Sequence, residues 1–593
     1  MPPVTLQRAF EIAMEHHQSG RLGEAEALYR QILAVLPHHA GALHLLGVLA
    51  HTAGQHAAAV SLIQQALALD PQNASVHSDL GEACLALDRA DEAIAHYRRA
   101  IALDPRLAAA HFNLANALHQ QGCLDEAVAE FRAAFALNPH DPRVLSNLSS
   151  TVAEQGHLDE AIATCREVVR LLPGEPAVHS NLISLLRLHP SADRQALAEA
   201  QREWGRQFAD PHRSPPPLTN SRDPARRLRI GYVSPDFRIH ATLFFLAPLF
   251  REHDHRQFEI HCYASVARPD EGTEHLRQLV DVWHDVRHLS DADLAATIRA
   301  DEIDILVDLS MHTSGNRLPL FARKRAPVLV CWLAYAGATG LVAMDYRITD
   351  RHFDPPAPAD PSIAEKPVHL PDSWCCYQPF LDDVPVNALP ALSAGHVTFG
   401  CLNNFLKLSE DTLTRFARVL QAVERSRLIL LAPQGSARSR VTDFFRQHGI
   451  ESDRIEYAVI GSRSAYLRHY HRIDLALDTL PHNGMATTCE TLWMGVPVIT
   501  QVGDTIEGRA GLSLLSTIGL PDLITHSADE FVATARRLAA DLPTLAERRA
   551  NMRAEMQASP LMDAPRFARN MEAAYREVWG RWCEMEGGRY NSR

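Results

Sequence analysis

Small and bulky apolar residues recur every 34 residues through the first third of the chain. Alanine recurs at Ala25, Ala59, Ala93, Ala127 and Ala161, and proline at Pro37, Pro71, Pro105, Pro139 and Pro173. The same register carries Tyr29, Ile63, Tyr97, Phe131 and Cys165, with Gly20, Gly54, Asp88, Gly122 and Gly156 at a turn. In a helical hairpin the alanine lets the helices approach, the bulky residue fills the seam and the proline stops the second helix. The pattern predicts a stack of helical hairpins.

A helical period of 34 residues is the tetratricopeptide (TPR) signature. We predict a first repeat with its N-terminal segment at 1–42, repeats two to five at 43–178, and a degenerate capping repeat at 179–212. One polar position on the first helix of the repeat is occupied by Asp79, Asn113, Asn147 and Asn181. Such a ladder could hydrogen-bond the backbone of a peptide in the groove of the array. The alternative is that these are solvated polar residues.

The periodicity ends in a linker at 213–226, and short apolar strands then alternate with amphipathic helices. Predicted strands are 228–234, 258–264, 303–310, 327–334, 396–402, 427–433, 454–460, 473–479 and 496–500. This alternation predicts parallel sheets with helices on both faces. A proline-rich stretch at 354–394 divides them into a first lobe, 227–353, and a second lobe, 395–593. The expected fold is an α-helical TPR superhelix followed by a GT-B type α/β region of two doubly wound parallel-sheet lobes.

Polar residues follow the predicted strands, where such sheets bind ligands. They include His240, the loop with His312, the small-residue loop AYAGATG with Gly337 and Thr339, the segment NNFLK with Lys407, and LPHNGMATTCE. A cation and a helix N-terminus can neutralise a nucleoside diphosphate leaving group without a metal. Asp291 and Asp293 are better explained as the capped start of a helix than as a metal-binding DxD. We therefore expect a nucleotide-sugar transferase that uses no metal and no cofactor besides its donor.

Composition and charge narrow the choice of partners. The 593 residues carry a formal charge of −13, so no general field attracts nucleic acid or anionic lipid. The ten cysteines show no CxxC and no zinc-ligand spacing. With neither a signal peptide nor an apolar run of membrane length, we expect a soluble, cytoplasmic protein with no membrane span.

Four runs carry a resemblance to a known family. RIGYVSPDFRIHAT, DLSMHTSGNRLPLFARKRAPVLVCWLAYAGATGLVAMDYRITD, FGCLNNFLK and DLALDTLPHNGMATTCETLWMGVPVIT resemble the TPR-linked O-GlcNAc transferase / SPINDLY family, glycosyltransferase family 41. The resemblance implies that His240 lies beside the sugar and acceptor, and that Lys407 contacts the donor diphosphate. It implies nucleotide contacts for Asn404, Thr487 with the adjacent Thr488, and Glu490, which would hold the ribose. Thr487 and Glu490 also fit a capping box, and His312 could instead hold its own loop.

The chain departs from O-GlcNAc transferases near the donor. Met485-Ala486 removes a hydroxyl before the phosphate-binding helix, Tyr466 stands at a base-stacking histidine and Arg463 at a lysine. The leading hypothesis is an inverting transfer of a sugar, first GlcNAc from UDP-GlcNAc, to Ser or Thr of proteins held in the TPR groove. A second is O-fucosylation from GDP-fucose, as in the plant SPINDLY branch. A third is a TPR scaffold with a silent GT-B half. The general base stays open between His240 and a water chain.

Overall fold

The structure is a computed structural model that describes residues 5–190, 194–209, 218–333, 337–356, 364–380, 384–459 and 461–585. Two compact units divide the chain: residues up to 171 with 433–436, and the remainder. They are described separately below.

The first unit consists of helical hairpins. Its helices are α1 (Leu6–Gln18), α2 (Leu22–Val35), α3 (Ala40–Thr52), α4 (His56–Leu69), α5 (Ala74–Leu85), α6 (Ala90–Leu103), α7 (Ala108–Gln120), α8 (Leu124–Leu137), α9 (Pro142–Glu154) and α10 (Leu158–Leu171). The five register alanines are fully buried, as is the bulky residue four positions later, with Cys165 at 3% exposure. Asp88 takes the left-handed conformation that glycine provides in the other four turns. The predicted repeat architecture is confirmed.

The second unit opens with two helices, α11 (Pro176–Leu188) and α12 (Arg194–Phe208), and continues into two parallel sheets. The first sheet has the order β3-β2-β1-β4-β5-β6-β7 and the second β10-β9-β8-β11-β12-β13. Their strands are β1 (Leu228–Ser234), β2 (Phe258–Ala264), β3 (Val282–Asp285), β4 (Ile305–Asp308), β5 (Val328–Cys331), β6 (Tyr346–Asp350), β7 (Lys366–Leu370), β8 (Thr398–Cys401), β9 (Arg427–Leu431), β10 (Ile455–Ala458), β11 (Leu475–Leu477), β12 (Val498–Gln501) and β13 (Ile524–Thr525).

Helices cover both sheets. They are α13 (Leu243–Glu252), α14 (Glu271–Arg277), α15 (Asp291–Ala300), α16 (Leu318–Ala322), α17 (Ala391–Ala394), α18 (Glu410–Ala422), α19 (Ser436–Gln447), α20 (Arg463–Arg468), α21 (Ala486–Trp493), α22 (Ala510–Ile518), α23 (Ala528–Ala540), α24 (Leu542–Ala558) and α25 (Ala564–Glu584). One apolar core runs through both lobes. Among the described residues, none of the helices combines the length and apolarity that a membrane crossing requires.

The strand order reverses between β1 and β4 in the first sheet and between β8 and β11 in the second. At such a switch point the loops leave in opposite directions and open a crevice at the carboxyl ends of the strands. The loops after β1, β4 and β8 carry His240, His312 and Lys407, and the loop after β11 leads into the helix of Thr487. The topology therefore places most of the predicted site residues at the two switch points.

Two parts of the predicted domain plan differ from the structure. The stretch 354–394, expected to be irregular, contains β7, which pairs with β6 in the first sheet. Helix α25, in the segment assigned to the second lobe, packs on the first lobe, where the Tyr575 hydroxyl lies 3.0 Å from that of Tyr232. Its buried face supplies the reason, because Phe567, Tyr575 and Trp579 need an apolar partner.

Candidate functional site

Buried carboxylates at strand ends shape the loops of the cleft. Asp308, the last residue of β4, accepts from the backbone N–H groups of Ser310 and Met311, both at 3.0 Å. Asp350, at the end of β6, accepts from Trp374 N and from Ser513 Oγ of the second lobe. Sequence analysis missed these residues. The available signal was an aspartate closing each of the apolar runs ILVD and YRITD.

Asp478 is a third buried carboxylate, and it accepts hydrogen bonds from the loop that follows β11. It is 3% exposed, and Oδ1 accepts from Gly484 N at 2.7 Å while Oδ2 accepts from Thr500 Oγ1 at 2.8 Å. Asn403 Nδ2 also donates to Asp478. A Cβ on Gly484 would lie 2.6 Å from Thr488 Oγ1, so glycine is needed for this close packing. The donor loop predicted from LPHNGM is thus held by a hydrogen bond to a residue that the sequence analysis did not select.

Lys407 reaches this loop. Its Nζ donates to the backbone oxygen of Asn483 at 2.8 Å. Burial lowers the pKa of Lys407 to about 8, with the Asp478 carboxylate acting in the opposite direction. Asn404 is exposed, and its Oδ1 accepts from Leu406 N, which caps the short 3-10 turn Phe405–Lys407. Asn404 thereby positions the turn that carries Lys407, and its predicted contact with the nucleotide stays a prediction.

Helix α21 begins at Ala486, one residue before Thr487, which a capping box would place outside the helix. Met485 occupies the N-cap position and makes no side-chain capping bond. Thr487 and Glu490 therefore lie inside the helix, so their interpretation as a capping box is wrong. Thr488 is buried, and its hydroxyl donates to Gly484 O at 3.0 Å. Thr488 thus helps to hold the loop, whereas Thr487 is partly exposed in the first turn.

Glu490, Arg463 and Tyr466 form one cluster. Glu490 is 5% exposed, its Oε1 pairs with Arg463 Nη1, and Tyr466 OH donates to its Oε2 at 3.3 Å. The Arg463 guanidinium also lies 4.6 Å above the Phe244 ring of the first lobe. The sequence analysis had assigned these three residues separately to the nucleotide. The structure brings them together and links them, through Phe244, to helix α13, which follows His240.

His240 lies just before α13 with its side chain 38% exposed. Its Nδ1 is 3.2 Å from Thr242 Oγ1, which itself donates to Asp236 O at 3.1 Å. The Thr242 backbone N–H also donates to Nδ1, at 3.4 Å, so the contacts at Nδ1 orient the ring and are compatible with either tautomer. Burial lowers the pKa of His240, and the Asp236 carboxylate 4.0 Å away opposes this effect. The imidazole is therefore neutral near pH 7.

His312 supports its loop rather than facing the cleft. It is fully buried, with Nδ1 3.1 Å from Ser180 Oγ and Nε2 2.9 Å from Thr339 O. Burial lowers its pKa to about 4. Thr339 is also fully buried, and its backbone N–H donates to Glu365 at 2.7 Å. The burial of both side chains favours the alternative that His312 holds its own loop, and contact of His312 or Thr339 with sugar or acceptor stays a prediction.

The adjacent small-residue loop is described only in part. Ala334, Tyr335 and Ala336 lie outside the described residues. Gly337 has φ of +152° and lines a cavity that contains residues of both lobes, including Leu333 and Ile506. Of the two residues predicted for this loop, Gly337 lines the cavity, whereas Thr339 is fully buried.

Helix α11 contacts loops of both lobes, which the sequence analysis missed. Ser180 bonds His312, and Ser184 Oγ donates to His312 O at 2.9 Å. One turn on, His482 Nε2 lies 2.7 Å from Arg187 O, and Arg187 Nη1 lies 3.7 Å from Glu507 Oε1. His482 directly precedes Asn483, the partner of Lys407. The capping hairpin is therefore part of the framework of the site.

The predicted polar ladder is partly engaged within the repeats. Asp79 pairs with His44, Asn113 Nδ2 donates to Glu82, and Asn147 Nδ2 donates to Asn116 Oδ1 at 2.7 Å. Asn181 is exposed on α11. The amide nitrogens of Asn113 and Asn147 thus donate to the preceding repeat. A bound peptide would therefore donate its backbone N–H groups to the amide oxygens. Peptide binding by these four residues stays a prediction.

The acidic pair near residue 291 is a helix start. Ser290 is the N-cap of α15, and its side chain accepts from Asp293 N. Asp291 accepts from Arg317 Nη1 at 2.7 Å. The interpretation of Asp291 and Asp293 as a capped helix start is confirmed.

Comparison with known proteins identifies the family. The family description "Glycosyl transferase family 41" matches residues 179–378 and 387–571, and TPR families match 16–96, 81–122 and 112–176. This match and a two-lobed parallel-sheet structure after helical repeats define a glycosyltransferase of the TPR-containing type. The chain belongs to glycosyltransferase family 41.

Named relatives agree with this assignment. The chain is 39% identical over 396 residues to a Petunia hybrida protein named as a probable UDP-N-acetylglucosamine–peptide N-acetylglucosaminyltransferase SPINDLY, covering 65% of this chain and 42% of that protein. It is 30% identical over 371 residues to an Arabidopsis thaliana protein named as a probable UDP-N-acetylglucosamine–peptide N-acetylglucosaminyltransferase SEC. This match covers 60% of this chain and 38% of that protein. The chain thus spans less than half the length of these curated relatives.

A solved structure matches nearly the whole chain. A lysine-to-methionine mutant of Thermobaculum terrenum O-GlcNAc transferase has a TM-score of 0.69 and 32% sequence identity, over 98% of both chains. The match includes the helical array and both lobes, so the predicted fold class is confirmed.

Proposed function

We propose that this chain is an inverting, metal-independent glycosyltransferase that transfers a sugar from a nucleoside diphosphate to Ser or Thr hydroxyls of proteins. GlcNAc from UDP-GlcNAc is the first-choice donor, since the plant relatives named above bear names for that activity. The TPR array would hold the acceptor protein. Lys407 and the start of α21 carry this proposal.

A departing diphosphate needs charge stabilisation, which a metal or fixed protein dipoles can supply. Lys407 lies against the loop that leads into α21, and its Nζ is fixed by Asn483 O. The backbone N–H groups in the first turn of α21 add partial positive charge at the same switch point. This arrangement suits a leaving group that gains negative charge as the glycosidic bond breaks.

The acceptor side would be served by His240. A neutral imidazole oriented at Nδ1 by Thr242 would suit the removal of a proton from a Ser or Thr hydroxyl by Nε2, in the tautomer that carries its own proton on Nδ1. Glu490, paired with Arg463 and Tyr466, would bind the ribose, with Tyr466 near the base. His240 and Lys407 then act on opposite sides of the sugar.

A thermal-shift panel tests the donor. We would measure the melting temperature with UDP-GlcNAc, UDP-glucose, GDP-fucose, UDP and GDP, because a ligand that binds the folded state raises it by linkage. A selective rise with UDP-GlcNAc, followed by transfer of labelled GlcNAc to a protein acceptor, is the expected result. Equal responses to UDP and GDP sugars would contradict recognition of uridine.

One observation favours a second candidate, O-fucosylation from GDP-fucose. The SPINDLY-named relatives are 36–39% identical, against 30% for the SEC-named relative. Tyr466 also stands at the nucleobase position where the resemblance implies histidine. A selective response to GDP-fucose in the same panel would establish this candidate. If none of the five ligands binds, the chain is a scaffold with a silent GT-B half, consistent with Met485 at the N-cap.

A further inference from the structure

A cluster of two histidines and an aspartate lies outside the donor and acceptor loops, on one edge of the first sheet. His261 is in the middle of β2, His284 is in the edge strand β3, and Asp301 follows α15. One ligand atom from each of the three side chains lies within 4.8 Å of the others. Imidazole nitrogens and a carboxylate oxygen are the donors that Zn²⁺ and similar ions prefer.

The strand register brings these side chains together. His284 is paired directly with Tyr263, two residues after His261, so His261 and His284 are diagonal neighbours on one face. The His284 ring stacks on Tyr263 with centroids 4.9 Å apart and planes 4° from parallel. The Tyr263 hydroxyl donates to Asp301 Oδ2 at 2.7 Å and so fixes the carboxylate. The three groups are therefore held in place before any ion binds.

The polar atoms of this cluster are incompletely satisfied. His261 is 5% exposed, yet neither of its ring nitrogens has a hydrogen-bond partner among the described residues, nor does His284 Nε2. The nearest groups are Glu259 Oε1, 3.4 Å from His261 Nε2, and Asp301 Oδ2, 3.2 Å from His284 Nε2. Even if Glu259 accepts a hydrogen bond from Nε2–H of His261, the lone pair on the other ring nitrogen is still buried without a partner among the described residues. Buried polar atoms without partners are rare in native proteins and call for a ligand or an ion.

We propose that His261, His284 and Asp301 bind a divalent transition-metal ion, with Zn²⁺ the best fit. Ligands about 2.1 Å from zinc are about 3.4 Å apart in a tetrahedron, so the side chains need only close around the ion. Three protein ligands leave a fourth position for water. His284 and Asp301 are 27% and 23% exposed, which provides an entry path from solvent.

The site would have a structural role. Asp301 lies in the connection into β4, toward the amino-terminal edge of the sheet, whereas His240 follows the carboxyl end of β1. An ion here would fasten the edge strand β3 to β2 and to the end of α15. Its binding energy would add to the stability of the folded first lobe. Donor binding and transfer are not expected to depend on it.

Metal titration of the full-length protein tests the proposal. After chelator treatment and its removal, ZnCl₂ would be titrated calorimetrically and CoCl₂ followed by visible absorption. We expect one tight equivalent in the wild type, lost in His284→Gln and in Asp301→Asn with an affinity decrease on the order of 10²-fold or more. His288→Gln is the matched control, because His288 is an exposed histidine four residues from His284. It should retain the tight equivalent.

The chain contains 32 histidines, so weak metal binding at other histidines is expected in the wild type and in the control variant alike. Binding in wild type that is no tighter than in His284→Gln would overturn the proposal. If a variant fails to fold, measurements on the wild type alone still test whether the metal site exists. Zn²⁺ should raise its melting temperature, and Co²⁺ should give the visible bands of nitrogen and oxygen coordination. Absence of both in the chelator-treated wild type would equally overturn the site.

Discussion

Lys407 is an amine whose charge is costly to keep in the free protein and valuable during the proposed reaction. Burial lowers its pKa to about 8, and its Nζ is held by the carbonyl of Asn483. If it stabilises the departing diphosphate, Lys407→Ala should decrease kcat on the order of 10²-fold, about 3 kcal/mol. Donor affinity should fall less, because charge on the phosphate grows toward the transition state. Steady-state kinetics measures both, and Lys366→Ala, an exposed lysine on β7, is the control.

The pKa of Lys407 also determines the direction in which the reaction rate should change with pH. Below about pH 8 the free protein carries the ammonium form, and above it the amine is neutral. We therefore expect kcat/KM to fall as the pH rises through about 8, whereas the kcat profile should fall at higher pH because bound diphosphate stabilises the ammonium. An arginine stays charged, so Lys407→Arg should lose the alkaline decrease whatever its absolute rate. A wild-type profile that stays flat to pH 10 would contradict this role of Lys407.

Substitution of His240 should affect transfer to the acceptor more than binding of the donor. Thr242 orients its Nδ1 through both the hydroxyl and the backbone N–H, and the proposed role uses the tautomer in which Nε2 accepts the proton. His240→Ala should slow transfer to a peptide roughly 10²- to 10⁴-fold, while hydrolysis of the donor by water slows less and diphosphate binding is nearly unchanged. Parallel assays of transfer and hydrolysis measure this difference. A loss of nucleotide affinity as large as the loss of transfer would place His240 on the donor side instead.

At the scale of elements, α11 connects the two halves of the cleft. Ser180 and Ser184 hold the His312 loop, and Arg187 contacts the His482 loop and Glu507. Burial raises the pKa of Glu507 and Arg187 lowers it, so removing Arg187 leaves a buried carboxyl without this ion pair.

We expect Arg187→Ala to lower the melting temperature and to raise the KM for the donor severalfold, because Glu507 O also accepts from Asn483 N in the donor loop. The matched control is Arg170→Ala, which breaks an exposed pair with Glu167 and should change neither quantity. Differential scanning fluorimetry and donor titration provide the measurements. An unchanged KM for Arg187→Ala would show that α11 does not support the donor loop.

Sequence patterns predicted local elements well and long-range partners poorly. The repeat register and the strands β1 and β2 follow from periodicity, and the structure reproduces 228–234 and 258–264. Edge strand β3 was missed because VWHD is short and mostly half-buried. Asp478 was missed because its partners, Thr500 and Asn403, are brought to it only by the fold. His312 could not be assigned, since Ser180 is 132 residues away in sequence.

At the scale of the whole molecule, the proposed function assigns acceptor selection to the repeats and chemistry to the two lobes. If the Asn113 and Asn147 oxygens bind peptide backbone, Asn113→Ala/Asn147→Ala should lower transfer to a protein acceptor about tenfold or more while leaving donor hydrolysis intact. The matched control is Arg98→Ala/Arg132→Ala, which breaks two exposed ion pairs between the second helices of neighbouring repeats. Equal transfer by both double variants, at equal melting temperatures, would exclude these amides from acceptor binding.

Chelation separates the proposed chemistry from the proposed metal site. Asp291 and Asp293 serve the start of α15, and Lys407 with the start of α21 supplies positive charge at the donor loop, so transfer should not require a divalent ion. The cluster at His261 should, in contrast, lose its ion. In wild type purified without chelator, EDTA should therefore lower the melting temperature and leave the transfer rate essentially unchanged at temperatures well below it. The same treatment of His284→Gln should change neither quantity. Strict dependence of the transfer rate on added Mn²⁺ or Mg²⁺ would mean that a metal, not Lys407, neutralises the diphosphate.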